Sequence, residues 1–198
     1  MLVTAALITS CATDNNSSST DNESATRTAT ASAAATVNAP NPTLTASSLQ
    51  PPPQKQYGRP GVVYDPCTWI PDDVIAGAGF DPGTRSRPGD QIAEITFLIC
   101  RFKSKPRTLS VLSGNATWDE DLQKNRSWSE PLTVNGREAM WVRDPGLGDG
   151  CAIDLRTKVG VISVMSTLTL NGLSQNLQPC DGLLDIATAI EPTIGKDN

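Results

Sequence analysis

Histidine is missing altogether from the 198 residues. Its absence removes the commonest general base, the partner in Ser/His and Cys/His nucleophile pairs, and the commonest zinc ligand. No Gly-x-Ser-x-Gly elbow and no Ser-x-x-Lys pair stands in for it. Phosphate loops are lacking too: Gly146-Leu147-Gly148-Asp149-Gly150 is rich in glycine but lies between strands and precedes no helix. Basic residues are too few for a nucleic-acid partner. Sixteen Lys and Arg stand against 21 Asp and Glu, a net charge of −5, whereas a phosphate backbone requires a basic footprint. No apolar run approaches the ~20 residues that span a bilayer. Hydrophobic residues make up 38% and charged residues 19%, below the usual globular share, so part of the chain is expected to stay unfolded.

What is present begins with an address. Leu2 to Ile8 form a short apolar run, and Ile8-Thr9-Ser10-Cys11 follows: an aliphatic residue, two small ones and a cysteine, the lipobox pattern of bacterial lipoprotein signal peptides. Residues 1–10 are therefore read as the signal peptide. Cys11 is read as the lipidated first residue of the mature chain, held on a membrane by acyl chains that contribute ~0.8 kcal/mol per buried methylene. Met1 to Ser10 carries no Lys or Arg, so the true start is expected upstream. Residues 11–60 continue as a tether of Ala, Ser, Thr, Asn and Pro with no aromatic before Tyr57. Such a stretch cannot bury enough apolar surface to order itself, and Pro51-Pro52-Pro53 stiffens its end. Its reach is on the order of 40 Å. Its charges cancel, leaving the net negative charge on the domain at 61–195.

Cys67, Cys100, Cys151 and Cys180 remain in the domain, an even number in an exported chain, which reads as two disulfides. Three connectivities are open. Cys67–Cys100 with Cys151–Cys180 is favoured, each closing a loop of about thirty residues and contributing roughly 3–4 kcal/mol. Metal binding is disfavoured because no CxxC spacing and no His is available.

Asp65-Pro66-Cys67 has the form of a helix start, with a second at Pro71 followed by Asp72 and Asp73 and stopped at Gly77 to Gly79. Ile92 to Lys103 is β-rich, with Leu98, Cys100 and Phe102 on one face, and Leu109 to Leu112 is a shorter strand. Trp118 and Leu122, four apart, mark a small helix at Trp118 to Gln123. Leu132 to Val134 and Arg137 to Val142 flank Asn135-Gly136, a type I′ hairpin. Further strands are expected at Cys151 to Arg156 and Val159 to Leu170, the latter with Ile162, Val164, Leu168 and Leu170 on one face. A helix from about Pro179 to Ile190, ended by Pro192 and Gly195, carries Leu183, Ile186, Ala187 and Ile190 as its apolar stripe. The expected class is α+β: an antiparallel meander with N- and C-terminal helices packed on it, mostly on one face, and two disulfides.

The order of these parts is similar to a known family. A lipobox, a Ser/Thr/Pro-rich tether, Asp65-Pro66-Cys67 opening a helix that ends near Gly79, a cysteine in a strand, Gly136-Arg137-Glu138-Ala139 in a hairpin, and a last cysteine before a terminal helix resemble the LprB/LprC-like lipoproteins of mycobacteria and their actinobacterial relatives. The resemblance covers about Asp65 to Ile190 and implies a cell-envelope location. The shared domain is one of unknown function and supplies no catalytic residues to carry over. At the level of fold alone, the layout is also similar to extracellular sensor domains of mycobacterial kinases and to PsbP-like folds.

Several groups could carry chemistry. Asp144, Asp149 and Asp154 surround a Gly-rich turn as hard ligands for calcium would, but lack the EF-hand spacing, and turn chemistry explains them as well. Asp119, Glu120 and Asp121 are consecutive acids, which on a helix point in different directions and read as a solvated face. Trp69 and Trp118 belong to apolar helix faces, whereas Trp128, between Ser127 and Ser129, is the candidate exposed contact. No catalytic residue, metal or cofactor is expected. The reading is a non-enzymatic binding or accessory module on the outer face of the cytoplasmic membrane. It is anchored there by lipid and engages an unknown envelope component or protein partner. The rivals are a carboxylate-dependent envelope hydrolase, which needs two acids converging in a cleft with perturbed pKa values, and a purely structural or antigenic surface protein.

Overall fold

The computed structural model describes residues 44–55 and 57–198. The signal peptide, Cys11 and the first part of the tether lie outside the described residues.

Seven antiparallel strands form one sheet in the order β1-β2-β3-β7-β6-β5-β4. They are β1 (Asp81–Ser86), β2 (Phe97–Lys103), β3 (Arg107–Gly114), β4 (Ser129–Val134), β5 (Arg137–Val142), β6 (Gly150–Arg156) and β7 (Val161–Leu168). Five helices accompany them: α1 (Pro66–Trp69), α2 (Asp72–Gly77), α3 (Trp118–Asn125), α4 (Leu170–Ser174) and α5 (Leu183–Ile194). The class is α+β, with the disulfides Cys67–Cys100 and Cys151–Cys180.

Register fixes what each face carries. Cys100 pairs with Val111, Val111 with Val164, and Val164 with Ile153, so these four share the first face. Helices α1, α2 and α5 cover that face, burying Ile75, Leu183, Ile186 and Ile190 against Phe102, Leu109 and Leu155. The second face carries the alternate residues, among them Met140, Ala152, Asp154, Val161, Ser163 and Met165. It receives one helix, α3, and topology is the reason. Two meanders, β1–β3 and β4–β7, meet at the β3–β7 pair, so the chain leaving β3 must pass β7, β6 and β5 to start β4 at the far edge. Helix α3 lies on that crossing.

Several boundaries differ from those expected. Strand β1 has a poor β sequence, Asp-Pro-Gly-Thr-Arg-Ser, and exists through tertiary bonds. Arg85 lies over the Phe102 ring at 4.8 Å and donates to the carbonyls of Cys67 and Ile70 and to Asp72. Pro82 is tolerated because β1 is an edge. Strand β2 starts at Phe97 rather than Ile92, although Gln91 bridges to Phe97. Strand β7 stops at Leu168, and Leu170 is 85% exposed at the start of α4 instead of continuing the strand face. Thr169 turns the chain there, accepting from Gly172 N and donating its own N–H to Pro106 O.

Helix α5 starts at Leu183, after Cys180, and runs through Pro192 to Ile194, ending at Gly195 with φ 82°. Pro192 leaves the Thr188 carbonyl without its helical donor. Asn135 of the β4–β5 turn supplies the replacement, its Nδ2 donating to Thr188 O at 2.9 Å. Asn135 and Gly136 have φ of 49° and 87°, as a type I′ turn requires.

The last part of the Ser/Thr/Ala/Pro-rich segment, 44–55 and 57–60, lies along the domain. Leu44 N donates to Thr68 O, and Leu49, in the 3₁₀ turn Ser47–Leu49, packs on the first-face core. Gln54 bonds both backbone groups of Val62 at 2.8 Å. Arg59 grips Glu120 with two bonds of 2.8 and 2.7 Å.

Candidate functional site

A sheet face under a single short helix cannot be sealed, and here it leaves a cavity of about 260 Å³. Phe97, Ile99, Leu112, Ala152, Val161 and Met165 give it apolar walls. Polar groups converge from α3 and the sheet.

Helix α3 begins with a capping box: Thr117 accepts from Glu120 N while the Glu120 carboxylate takes the Thr117 N–H. That start sets the helix phase, turning Trp118, Asp121 and Asn125 toward the sheet. Leu122, paired with Trp118 by spacing, is instead 37% exposed. The solvated-face reading thus holds for Asp119 and Glu120 and fails for Asp121. Glu120 is held down at about 2, chiefly by its hydrogen bonds from Arg59 and then by those from Thr117.

Beneath α3, Asp154 occupies the middle of β6, between Met140 of β5 and Ser163 of β7. Asp121 is 8% and Asp154 5% exposed. The two carboxyls interact directly, each within hydrogen-bonding reach of the other. Asp121 Oδ1 accepts from Asn125 Nδ2 at 3.1 Å, and Ser163 bonds Asp154. Asp121 Oδ2 and Asp154 Oδ1 are buried with no donor from any other described residue. Burial raises both acids above the ordinary carboxylate value, Asp154 strongly, and the Asp121 charge pushes Asp154 further up. Because each acid shifts the other, the pair titrates as a unit. Lys124 opposes the rise at both.

The other candidates fall elsewhere. Asp144 lines the same cavity but its Oδ1 caps a 3₁₀ turn, accepting from Gly146 N at 2.7 Å. Asp149 lies outside the cavity lining and is exposed. Among the described residues no three His, Cys, Asp or Glu come together as a metal site. Trp128 is 38% exposed between α3 and β4, away from the cavity lining. A larger opening of about 340 Å³ lies between α2 and α5 beside Arg107. Arg107 is already engaged by Ser166 Oγ and the carbonyls of Pro179 and Gln178.

The Asp121–Asp154 pair was divided in the sequence between two unrelated groups of acids. Its signals were local: an acid in the interior of an alternating strand, and a 118/121/125 helical spacing that selects Asp121 from the acidic run.

Neither a curated protein nor a solved structure matches the chain. A family model described as protein of unknown function (DUF3558) matches residues 6–193, nearly the whole length, and the chain belongs to that family.

Proposed function

We propose that this domain is a small-molecule binding module displayed in the cell envelope, and that the cavity under α3 is its site. The observation that carries the reading is the pairing of apolar walls with two buried acids, Asp121 and Asp154, that line the same space and each keep one oxygen without a partner among the described residues. A concave, mostly apolar pocket with a few convergent polar groups is the usual form of a ligand site. The envelope part rests on the Ile8-Thr9-Ser10-Cys11 pattern and on two disulfides, which persist in oxidising compartments. On the same grounds we propose lipid attachment at Cys11 and kinship with the LprB/LprC-like lipoproteins within the family.

Fragment titration of methyl-labelled full chain tests the site. Shifts at the methyls that wall the cavity, those of Ile99, Leu112, Ala152, Val161 and Met165, are expected, and a library that moves only exposed methyls such as Leu170 refutes it. Acylated Cys11 and no free thiols in native material are expected by mass spectrometry.

One observation favours a hydrolytic second reading: two acids with raised pKa values, able to act as acid and base. Binding ranks first because the two carboxyls interact with each other as a hydrogen-bonding pair, whereas glycosidase pairs stand at least about 5 Å apart to admit the scissile bond.

A further inference from the structure

We propose that the ligand of this cavity is an organic monocation, a protonated amine on a short apolar body, with its ammonium seated at Asp121 and Asp154. The inference rests on the small-molecule reading above and adds the class of ligand.

Charge gives the first argument. Three carboxyls, Asp121, Asp144 and Asp154, line the cavity against one ammonium, Lys124. Even when the acid pair holds a shared proton, two negative charges face one positive charge, and the cavity stays anionic. An anionic guest would enter a low-dielectric space against that field, whereas a cation is drawn in. Donor count gives the second. Asp121 Oδ2 and Asp154 Oδ1 are acceptors that no other described residue serves. A hydroxyl offers one donor and an ammonium three, so only the ammonium can bond both oxygens at once and neutralise the charge it uncovers when the shared proton leaves. A bare divalent cation is the poorer guest. It asks for six or more oxygens, and among the described residues no three acids come together as a metal site, the Oδ1 of Asp144 being bonded to Gly146 N. The remaining wall, from Phe97 to Met165, is apolar and suits a hydrocarbon body.

Seating an ammonium expels the proton shared by the pair. Affinity for an amine therefore rises with pH through the range in which Asp121 and Asp154 ionise, with Lys124 and Asp144 the other charged groups facing the site.

Benzylammonium, benzyl alcohol, benzoate and calcium chloride are titrated separately into full-length, methyl-labelled chain at several pH values. Benzylammonium is expected to bind at least about tenfold more tightly than benzyl alcohol, moving the Ala152, Val161 and Met165 methyls, and to tighten as pH rises. Asp154→Asn and Asp121→Asn each replace one acid of the pair by a neutral amide of the same shape, so the second negative charge that meets the ammonium cannot form. Either variant, judged on whichever remains folded, is expected to lose most of the preference for benzylammonium over benzyl alcohol, together with its rise with pH. Equal affinity for amine and alcohol, a preference for benzoate, or calcium alone acting at these methyls overturns the ammonium assignment and leaves the cavity as a binding site. No binding by any organic probe overturns both readings.

Discussion

A carboxyl group set among apolar side chains escapes the cost of burial by keeping its proton or by finding donors. Asp121 and Asp154 do the first, together. Folded, the pair holds a proton at pH values where the unfolded chain has lost it, so the folded state binds more protons. Stability must then fall as pH climbs from the ordinary carboxylate range through the raised value of the pair. Asp154→Asn removes that slope and gives Asp121 an amide donor. Urea unfolding is expected to find the variant more stable than the wild type by about 1–3 kcal/mol near pH 8, and no better near pH 4. Parallel stability curves for the two proteins would mean that the acids are not buried as a coupled pair. The opposite case stands on the first-face side of the molecule. Arg87 donates to Asp65 at 2.6 and 2.7 Å and to Asp90 at 2.9 Å, with side chains 9%, 4% and 2% exposed. Arg87 also reaches Leu49 O at 2.7 Å, while Asp65 caps α1 and Asp90 takes the Ile99 N–H. Arg87→Leu strands two buried carboxylates and is expected to cost roughly 3–5 kcal/mol in the same assay, a loss that lysine repairs poorly because it lacks the forked donors. A loss below 1 kcal/mol would show that water already serves these acids.

An element's limits are set partly by its own residues and partly by what it meets, and α5 shows the difference. By sequence Pro192 stops the helix. In the fold Asn135, 53 residues away from Thr188, takes over the carbonyl that Pro192 leaves free. Asn135→Gly keeps the positive φ of the turn and deletes only the amide, so it is expected to cost about 0.5–1.5 kcal/mol. In a Pro192→Ala background the helix bonds that carbonyl itself, and the cost is expected to shrink toward zero; an unchanged cost in the double-mutant cycle would refute the coupling. The same distinction decides what was legible beforehand. The hairpin at Asn135-Gly136, the alternation in β2, β6 and β7, the α1 cap at Asp65 and the apolar stripe of α5 all follow from neighbours within a few residues. Strand β1 was hidden because Arg85 secures it through Cys67, Ile70 and Asp72. The end of β7 was hidden because Thr169 bonds Pro106, 63 residues back. The candidate site belongs to this second kind. Its two acids lie on a helix and a strand brought together by the β3–β4 crossing, and no local pattern joins position 121 to position 154. The disulfides were half legible, since loop length ranks the pairings but cannot exclude the alternatives.

At the scale of the whole molecule, covalent and ionic fastening is concentrated on one face. Cys67–Cys100 ties α1 to β2, and Cys151–Cys180 ties β6 to the turn that leads into α5. Arg137 holds the far end of α5, donating to Glu191 and to the carbonyls of Gly195 and Asn198. Among the described residues the second face has one helix, α3, kept in place by the Trp118 cluster, by the acid pair, and at its first turn by Arg59 on Glu120. That last contact is exposed, so solvent weakens it. The helix that roofs the cavity should accordingly be the first to open, as the proposed binding site would require. Native-state hydrogen exchange is expected to show amides of Asp121 to Asn125 opening well below the global free energy, while those of Ile186 to Ile190 open only with global unfolding. Each disulfide closes a loop of 33 or 29 residues. Replacing Cys151 and Cys180 by Ala should therefore lower global stability by roughly 3–4 kcal/mol, less any relief of native strain. Because that staple does not reach the second face, the opening free energy of α3 should stay as it was, and the order of the two helices should narrow without reversing. If instead α3 loosened in step with α5, the two faces would form one cooperative unit, and the cavity could not open without the core.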